Sequence, residues 1–569
     1  MAGIGATMFT ALYCRLFQLQ VLESDKYKTM SSKNKLRLNV KAAPRGKIYD
    51  KDGEILADSQ SYSRLVVEDR NLKVIKDVIL RLNNGILHNP ITLTESDLRK
   101  IIKNTPSHSG VNIIPDIPWD DLIKLEFHLY KFDNIRIEHS NRRFYLYKDM
   151  YAHAIGYVGL PSEEKIKKSG VANYQDFMIG KNGLEKEYNE DITGVPGTKE
   201  SEVNATGKIV RKISDTPSIE GQALYTGLHH GLQQEVAKQF IGKNGGCVVL
   251  DIKTGQVLSM YSSPAFDPNM FVSGITLDEW TDLLTSPEKP LINKSISGSF
   301  PPGSTFKPVT ALAALIAGVD PSKAIHCDGA HKIGSHTFHC FKRTGHGNVD
   351  MRTAIAQSCN VYFYKVGQIA GIDNIAHAAE VLGLGSVTGI DLPFETSGLI
   401  PSKQWKRKRF KQEWRNGDTA NTSIGQGYVL VTPIQLAVMI ARIASGLNIT
   451  PSMKLRNEVF APLDIDPTYL SVLREGMYRG INDHSGNNYR NRIEDDKFLL
   501  SGKTGTAQVA SLSRSKGRSN LDEHGLFIGF APYDDPKYAI ATIVEHGVWG
   551  ATSALPVSRN VMLYLSGLQ

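Results

Sequence analysis

Three short strings in the second half of the chain carry side chains that could do chemistry together: Ser304-Thr305-Phe306-Lys307, Ser358-Cys359-Asn360 and Lys503-Thr504-Gly505. Ser304 and Lys307 stand three residues apart, so on a helix they share a face and the amine can reach the hydroxyl. A neutral amine so placed takes the hydroxyl proton and leaves an activated nucleophile. Burial or a nearby cation favours the neutral form of an amine. Residue types alone are a weak signal, because the chain repeats each pattern: Ser32 to Lys35 and Ser513 to Lys516 copy the first, Ser485 to Asn487 the second, Lys253 to Gly255 the third.

The elements that must hold these groups separate the sets. Ser304 follows the turn FPPG and precedes the apolar run FKPVTALAALIAG, which sets it at the start of a buried helix. Ser32 to Lys35, in SSKNKLR, has no such helix after it and is expected on a solvated surface. Lys503 lies between FLLSG and TAQV, on a strand, whereas Lys253 to Gly255 sits in the turn between two apolar runs of a hairpin. Ser358 opens the apolar helical segment CNVYFYKVG; on a helical turn Cys359 would project about 100° away from each of its neighbours. LLSGKTGTAQV, GLFIGFA and YAIATIVEHG read as consecutive antiparallel strands, and ALPVSRNVMLYLSGL as a closing helix. Residues 218–569 are therefore expected to form an antiparallel sheet between helices. Residues 23–217 mix strand-like runs (LRLNV, SRLVVED, NIRIEH) with amphipathic stretches (IKDVILRLNNGIL, PWDDLIKLEFHLYKF) and show no catalytic cluster, which suits an α+β pedestal. Within them Gly180 to Val210, rich in Gly and charge, suits a linking element. Residues 1–22 are largely apolar and read as an incomplete membrane anchor.

A length of 569 residues suits two or three domains, and 41% hydrophobic with 22% charged residues excludes a disordered scaffold. A net charge of +8 on this length is too mild for a polyanion binder, so no nucleic-acid partner is expected. The densest basic stretch, Lys403 to Arg415, reads as a solvated loop.

Five stretches together carry a resemblance: PRGKIYDKDGEILA from Pro44, RRFYLYKDMYAHAIGYVG from Arg142, Gly180 to Val210, FPPGSTFKPVT, and TSIGQGYVLVTPIQLA from Thr422. With the three strings, they make the chain similar to the class B penicillin-binding proteins, nearest to the penicillin-binding protein 2 branch of the rod-elongation machinery. That resemblance implies an α/β (α+β) chain with a serine D,D-peptidase/β-lactamase-like C-terminal domain on a pedestal. It implies a D,D-transpeptidase in which Ser304 attacks a D-alanyl-D-alanine stem peptide, Lys307 is the base and Ser358 relays the proton to the leaving amine. Asn360 would hold the substrate amide, and Lys503, Thr504, Gly505 and Thr506 the terminal carboxylate, with the amides of Ser304 and Thr506 as oxyanion hole. The implied partners are peptidoglycan stem peptides, β-lactams, the membrane and a separate SEDS-family glycosyltransferase; the implied location is the inner membrane, single-pass, with a periplasmic catalytic domain. No cofactor is expected for catalysis. A β-lactamase would need an extra carboxylate for deacylation, and a β-lactam sensor further membrane segments, neither of which the sequence marks; a D,D-carboxypeptidase stays open on chemistry alone.

Cys327, Cys340 and Cys359 cluster in sequence with His346 between them. Their surroundings, HCDGAHKIGSHTFHCFKRTGHGNVD, are too poor in apolar residues to hold together by packing, which favours a metal staple. Three thiolates and an imidazole suit structural zinc. Asp328, His331, His336 and His339 are rival ligands, and a Cys327 to Cys340 disulfide or free thiols remain open from sequence.

Overall fold

The structure, a computed structural model, describes residues 2–23, 36–105, 110–162, 177–203, 209–508 and 523–567. Ser32 to Lys35 and Ser513 to Lys516 lie outside the described residues.

The first half builds a five-stranded sheet around one long strand, Ile55–Val67, which pairs along its length with Ile135–Tyr145, from Ala57 opposite Tyr145 to Val67 opposite Ile135. Three helices, Leu72–Asn83, Glu95–Asn104 and Trp119–His128, bury alternate residues of that ladder (Leu65, Val67) under Ile75, Val78, Leu82, Leu98 and Leu125. Their starts are written locally: Asn71 accepts from the Lys73 amide, and Thr94 with Asp97 forms a reciprocal capping box. LRLNV, SRLVVED and NIRIEH are strands as expected. The sheet is completed by Leu224–Tyr225, parallel to Ile48–Tyr49.

Gly180 to Val210 does more than link. It forms the short helices Gly183–Glu187 and Asn189–Thr193, and its strand Gly197–Val203 is the middle of a three-stranded sheet. It also supplies Glu185, fully buried between Arg45 (Nη2 to Oε2, 2.7 Å) and Arg143 (Nε to Oε1, 2.5 Å). Three of the stretches quoted above thus converge on one buried charge cluster. Burial pushes the Glu185 carboxyl up, and the two guanidiniums pull it further, to below its usual range.

The second half contains the expected antiparallel sheet, in the order Val257–Ser263, Gly245–Asp251, Tyr538–Val544, His524–Ala531, Ser501–Ala507. Both faces are covered, so successive residues serve different cores: Val248 and Leu250 pack toward the helical middle, Cys247 and Val249 toward the terminal helices His230–Gln239 and Ala554–Ser566. The helix Lys307–Ile316 is buried from Lys307 to Leu315.

Two expectations are corrected. Lys403 to Arg415 is no simple solvated loop: residues Lys403–Phe410 form a helix, capped by Ser402 and ended by Lys411 in the left-handed region. Lys406 on it is buried, paired with Asp418 and lying over the rings of Trp414 and Tyr428. Ser358 to Asn360 is a turn between the helices Met351–Ala356 and Asn360–Val381 rather than a helical turn: Ser358 is left-handed (φ 56°) and Cys359 is extended. The N-terminal residues form a helix, Ala2–Phe17, with Met8, Phe9, Leu12 and Tyr13 exposed. Among the described residues no helix is long and apolar enough to cross a membrane.

Candidate active site

Ser304 rides on a single tight turn, Gly303–Phe306, that runs straight into the buried helix. Gly303 is left-handed (φ 54°), and a Cβ there would lie 2.5 Å from the Thr506 carbonyl, so glycine is what lets the turn press against the strand Ser501–Ala507. Lys307, one turn on, is fully buried. Its Nζ donates to the Ser358 carbonyl (2.7 Å), Ser358 Oγ (3.0 Å) and Asn360 Oδ1 (2.7 Å), and among the described residues makes no hydrogen bond to Ser304. Lys503 reaches Ser358 Oγ from the sheet side, at 2.9 Å.

One hydroxyl is therefore clasped by two buried amines. Burial pushes the Lys307 amine down to about 8, only partly offset by the thiols of Cys340 and Cys359. Burial, reinforced by the charge of Lys307, pushes Lys503 down well below its usual range. No carboxylate is hydrogen-bonded to either amine among the described residues, so only neutral acceptors and, for Lys307, the nearby cysteines oppose the desolvation cost of the charged forms.

Ser304, Ser358, Asn360, Thr504, Gly505 and Thr506 share a cleft of ≈ 930 Å³. The rival strings part from them. Lys253 is in the hairpin turn as expected, facing Asp535. Of the other S-x-N, Asn487 does reach the cleft wall, where its amide donates to the Gln357 carbonyl at 2.8 Å. Sequence reasoning missed several lining residues. Asn488 donates to Thr504 Oγ1 (3.4 Å) and Gln426 to the Thr506 carbonyl (3.3 Å). His339, Arg343, Tyr364 and Trp549 complete much of the rim. Gln426 stands between two left-handed glycines, Gly425 and Gly427, a pattern that could have marked it; Asn488 carries no such signal.

A family model described as the penicillin-binding protein transpeptidase domain matches residues 245–563, and one described as the penicillin-binding protein dimerisation domain matches residues 40–226. The chain belongs to the penicillin-binding protein transpeptidases. It is 35% identical to the peptidoglycan D,D-transpeptidase MrdA of Acinetobacter baumannii, across 97% of this chain and 85% of that one. Among solved structures, it is similar to penicillin-binding protein 2 of Helicobacter pylori in a complex with MreC (TM-score 0.83, 31% identity, 94% of this chain and 100% of that chain). It is also similar to a chain of a peptidoglycan synthase complex that coordinates polymerisation and crosslinking (TM-score 0.75, 28% identity, 100% and 98%).

Directly behind the motifs of this penicillin-binding protein chain, the metal-ligating atoms of Cys327, Cys340, His346 and Cys359 lie within 4.8 Å of one another. Nδ1 of His346 is 3.6 Å from Cys327 Sγ and 3.5 Å from Cys340 Sγ. In a tetrahedral zinc site with Zn–S about 2.3 Å and Zn–N about 2.05 Å, the S···N edge is about 3.6 Å, so these residues fit the ion. All five cysteines are unbridged, the alternative Cys327 to Cys340 disulfide included. Asp328, His331, His336 and His339 stand outside the group; His339 instead offers its carbonyl to Asn360 and Tyr364. The closeness of the Cys359 and Cys340 sulfurs pushes Cys340 down and Cys359 up. Cys359 Sγ also caps the following helix, accepting from the Tyr362 amide at 3.4 Å.

Proposed function

We infer that the chain is a peptidoglycan D,D-transpeptidase of cell elongation that works through an acyl-enzyme on Ser304. The observation that carries the reading is the Ser358 hydroxyl held between Lys307 and Lys503 (3.0 and 2.9 Å) at the floor of the cleft onto which Ser304 opens. Neutral Lys307 takes the Ser304 proton as Oγ attacks the penultimate D-alanyl carbonyl, and the amides of Ser304 and Thr506 hold the oxyanion. Ser358 passes the proton to the departing D-alanine amine. An amine on a neighbouring stem peptide then attacks the acyl-enzyme, its proton returning along the same path. Asn360 orients the donor amide, and Lys503 with Thr504, Gly505 and Thr506 receives the terminal carboxylate. That carboxylate draws Lys503 back to its charged form, and the new cation holds Lys307 neutral. A β-lactam offers the same carboxylate and a strained carbonyl to the same groups.

The finer assignments follow from the same site. Zinc on Cys327, Cys340, His346 and Cys359 would cross-link a polar segment and add no chemistry of its own. Residues 1–22, with exposed apolar side chains on Ala2–Phe17, anchor the chain at the inner membrane. Residues 23–217 carry the transpeptidase domain, 218–569, in the periplasm, beside a SEDS-family glycan polymerase and an MreC-like scaffold. Intact mass spectrometry after exposure to penicillin tests the central step. One covalent adduct, absent in Ser304→Ala, is expected; an adduct retained in that variant, or none in the parent, overturns it.

A further inference from the structure

Arg343 is a cation on the cleft wall that no part of this mechanism uses. It is exposed, lines the cleft, and has no acidic partner among the described residues. It belongs to the wall built from His339, Asn360 and Tyr364, a different element from the strand that carries Lys503. Asn360 Nδ2 donates to the His339 carbonyl (3.4 Å), Tyr364 OH donates to the same carbonyl (3.3 Å), and the Arg343 charge is felt at the Tyr364 hydroxyl.

Its loop is not free to wander. Residues 341–345 close between Cys340 and His346, two members of the thiol and imidazole cluster. The His346 amide donates to the Cys327 carbonyl (3.1 Å), the Gly345 amide to the Lys342 carbonyl (3.0 Å), and Phe341 packs edge-on to the His346 ring at 5.3 Å. Gly345 is left-handed, and a Cβ there would lie 2.2 Å from the Cys327 carbonyl. The guanidinium is thus presented from a fixed base, and such a fork matches a carboxylate in two-point fashion.

We propose that Arg343 is a specificity-determining residue that binds a second carboxylate of the donor stem peptide, one borne on the N-terminal side of the D-alanyl pair. The terminal carboxylate belongs to the Lys503 strand and the donor amide to Asn360. A cation that lines the same cleft as Asn360, and not the Lys503 strand, therefore meets the peptide upstream of the scissile bond. The proposal rests on the transpeptidase reading of Ser304, and the experiment separates the two.

Two synthetic donors ending in D-Ala-D-Ala are compared, identical except that the third residue, a diamino dicarboxylic acid, has its distal carboxyl free or amidated. The readout is the second-order rate of acylation. The parent is expected to prefer the free acid by about tenfold, with the preference shrinking as salt is raised. Arg343→Gln should bring the ratio of the two rates to about one, and Arg343→Lys should retain part of it. Equal rates in the parent, or an unchanged ratio in Arg343→Gln, overturn the assignment of Arg343 while leaving Ser304 acylation standing. Failure of the parent to form any Ser304 adduct, with penicillin or with peptide, overturns the transpeptidase reading and the Arg343 assignment with it.

Discussion

Two buried clusters of charge, one in each half of the molecule, are built on opposite plans. In the pedestal, Arg45 and Arg143 enclose Glu185, so each buried charge has an opposite one within hydrogen-bonding distance. In the catalytic half, Lys307 and Lys503 enclose a neutral hydroxyl and no anion. Pairing makes the first cluster a fixed structural cross-link between segments distant in sequence, with the carboxyl held in its charged form. Lack of pairing leaves the second with amines poised to give up protons, as a base requires. Burial is common to both; only the company of the charge decides whether it holds structure or does chemistry.

The sharpest way to break this comparison is at Lys307. Lys307→Met keeps length and burial but removes the base, and acylation by penicillin should fall by about 10² to 10⁴, with thermal stability equal to or above the parent's because a desolvated amine is gone. A rate within threefold of the parent would remove Lys307 from the mechanism. The converse change is Glu185→Gln, which leaves two buried guanidiniums uncompensated. Denaturant unfolding should show a loss of about 3–5 kcal/mol, while protein that remains folded is acylated at near the parent rate. A loss below about 1 kcal/mol would mean that the cluster is not the cross-link described.

The pH responses of the two clusters should share a sign but fall in different windows. Lys307 falls from an ordinary 10.5 to about 8 on folding, so acylation should climb about tenfold per unit up to pH 8 and then level. The same shift costs stability below about pH 8, a cost relieved between pH 8 and 10.5, because the unfolded chain binds the proton more tightly. Glu185 shifts in the same direction but in the acid range and in favour of its charged form: its folded value lies below the ordinary 4.5, so its contribution is present above that pH and lost as the pH falls through the folded value. An acylation rate that is flat between pH 6 and 8 would contradict the Lys307 assignment. The smallest expected effect is at the cluster behind the site. Cys340→Ser should lower bound zinc and melting temperature together and slow acylation severalfold, as the base of the Ser358 turn loosens. Zinc far below one equivalent in parent protein purified without added metal, by elemental analysis, would remove the ion from the account.

Much of this was legible because it is local. The turn at Ser304, the buried helix after it, the hairpin around Lys253 and the three strands around Lys503 are each written in a run of apolar residues and the turn residues that bound it. The thiol and imidazole group could be named from spacing and from a segment too polar to pack. Misreadings fell where neighbours override a local pattern. Lys403 to Arg415 looked like a solvated loop until Asp418, Trp414 and Tyr428 gave Lys406 a reason to be buried in a helix. Ser358 to Asn360 looked helical, yet the chain bends there so that Ser358 faces two amines and Cys359 faces the sulfur cluster.

The sequence by itself determined which residues could react and which elements carry them, because hydrophobic period, turn chemistry and motif spacing are properties of short segments. Only the tertiary structure decided that Lys307 and Lys503 meet at one hydroxyl and that Arg45, Glu185 and Arg143 close one triad. It alone brought Asn488, Gln426 and Arg343 to the same cleft as Ser304. Those contacts join residues far apart in the chain, and their energies depend on burial and on the sign of the nearest charge, neither of which any local stretch contains.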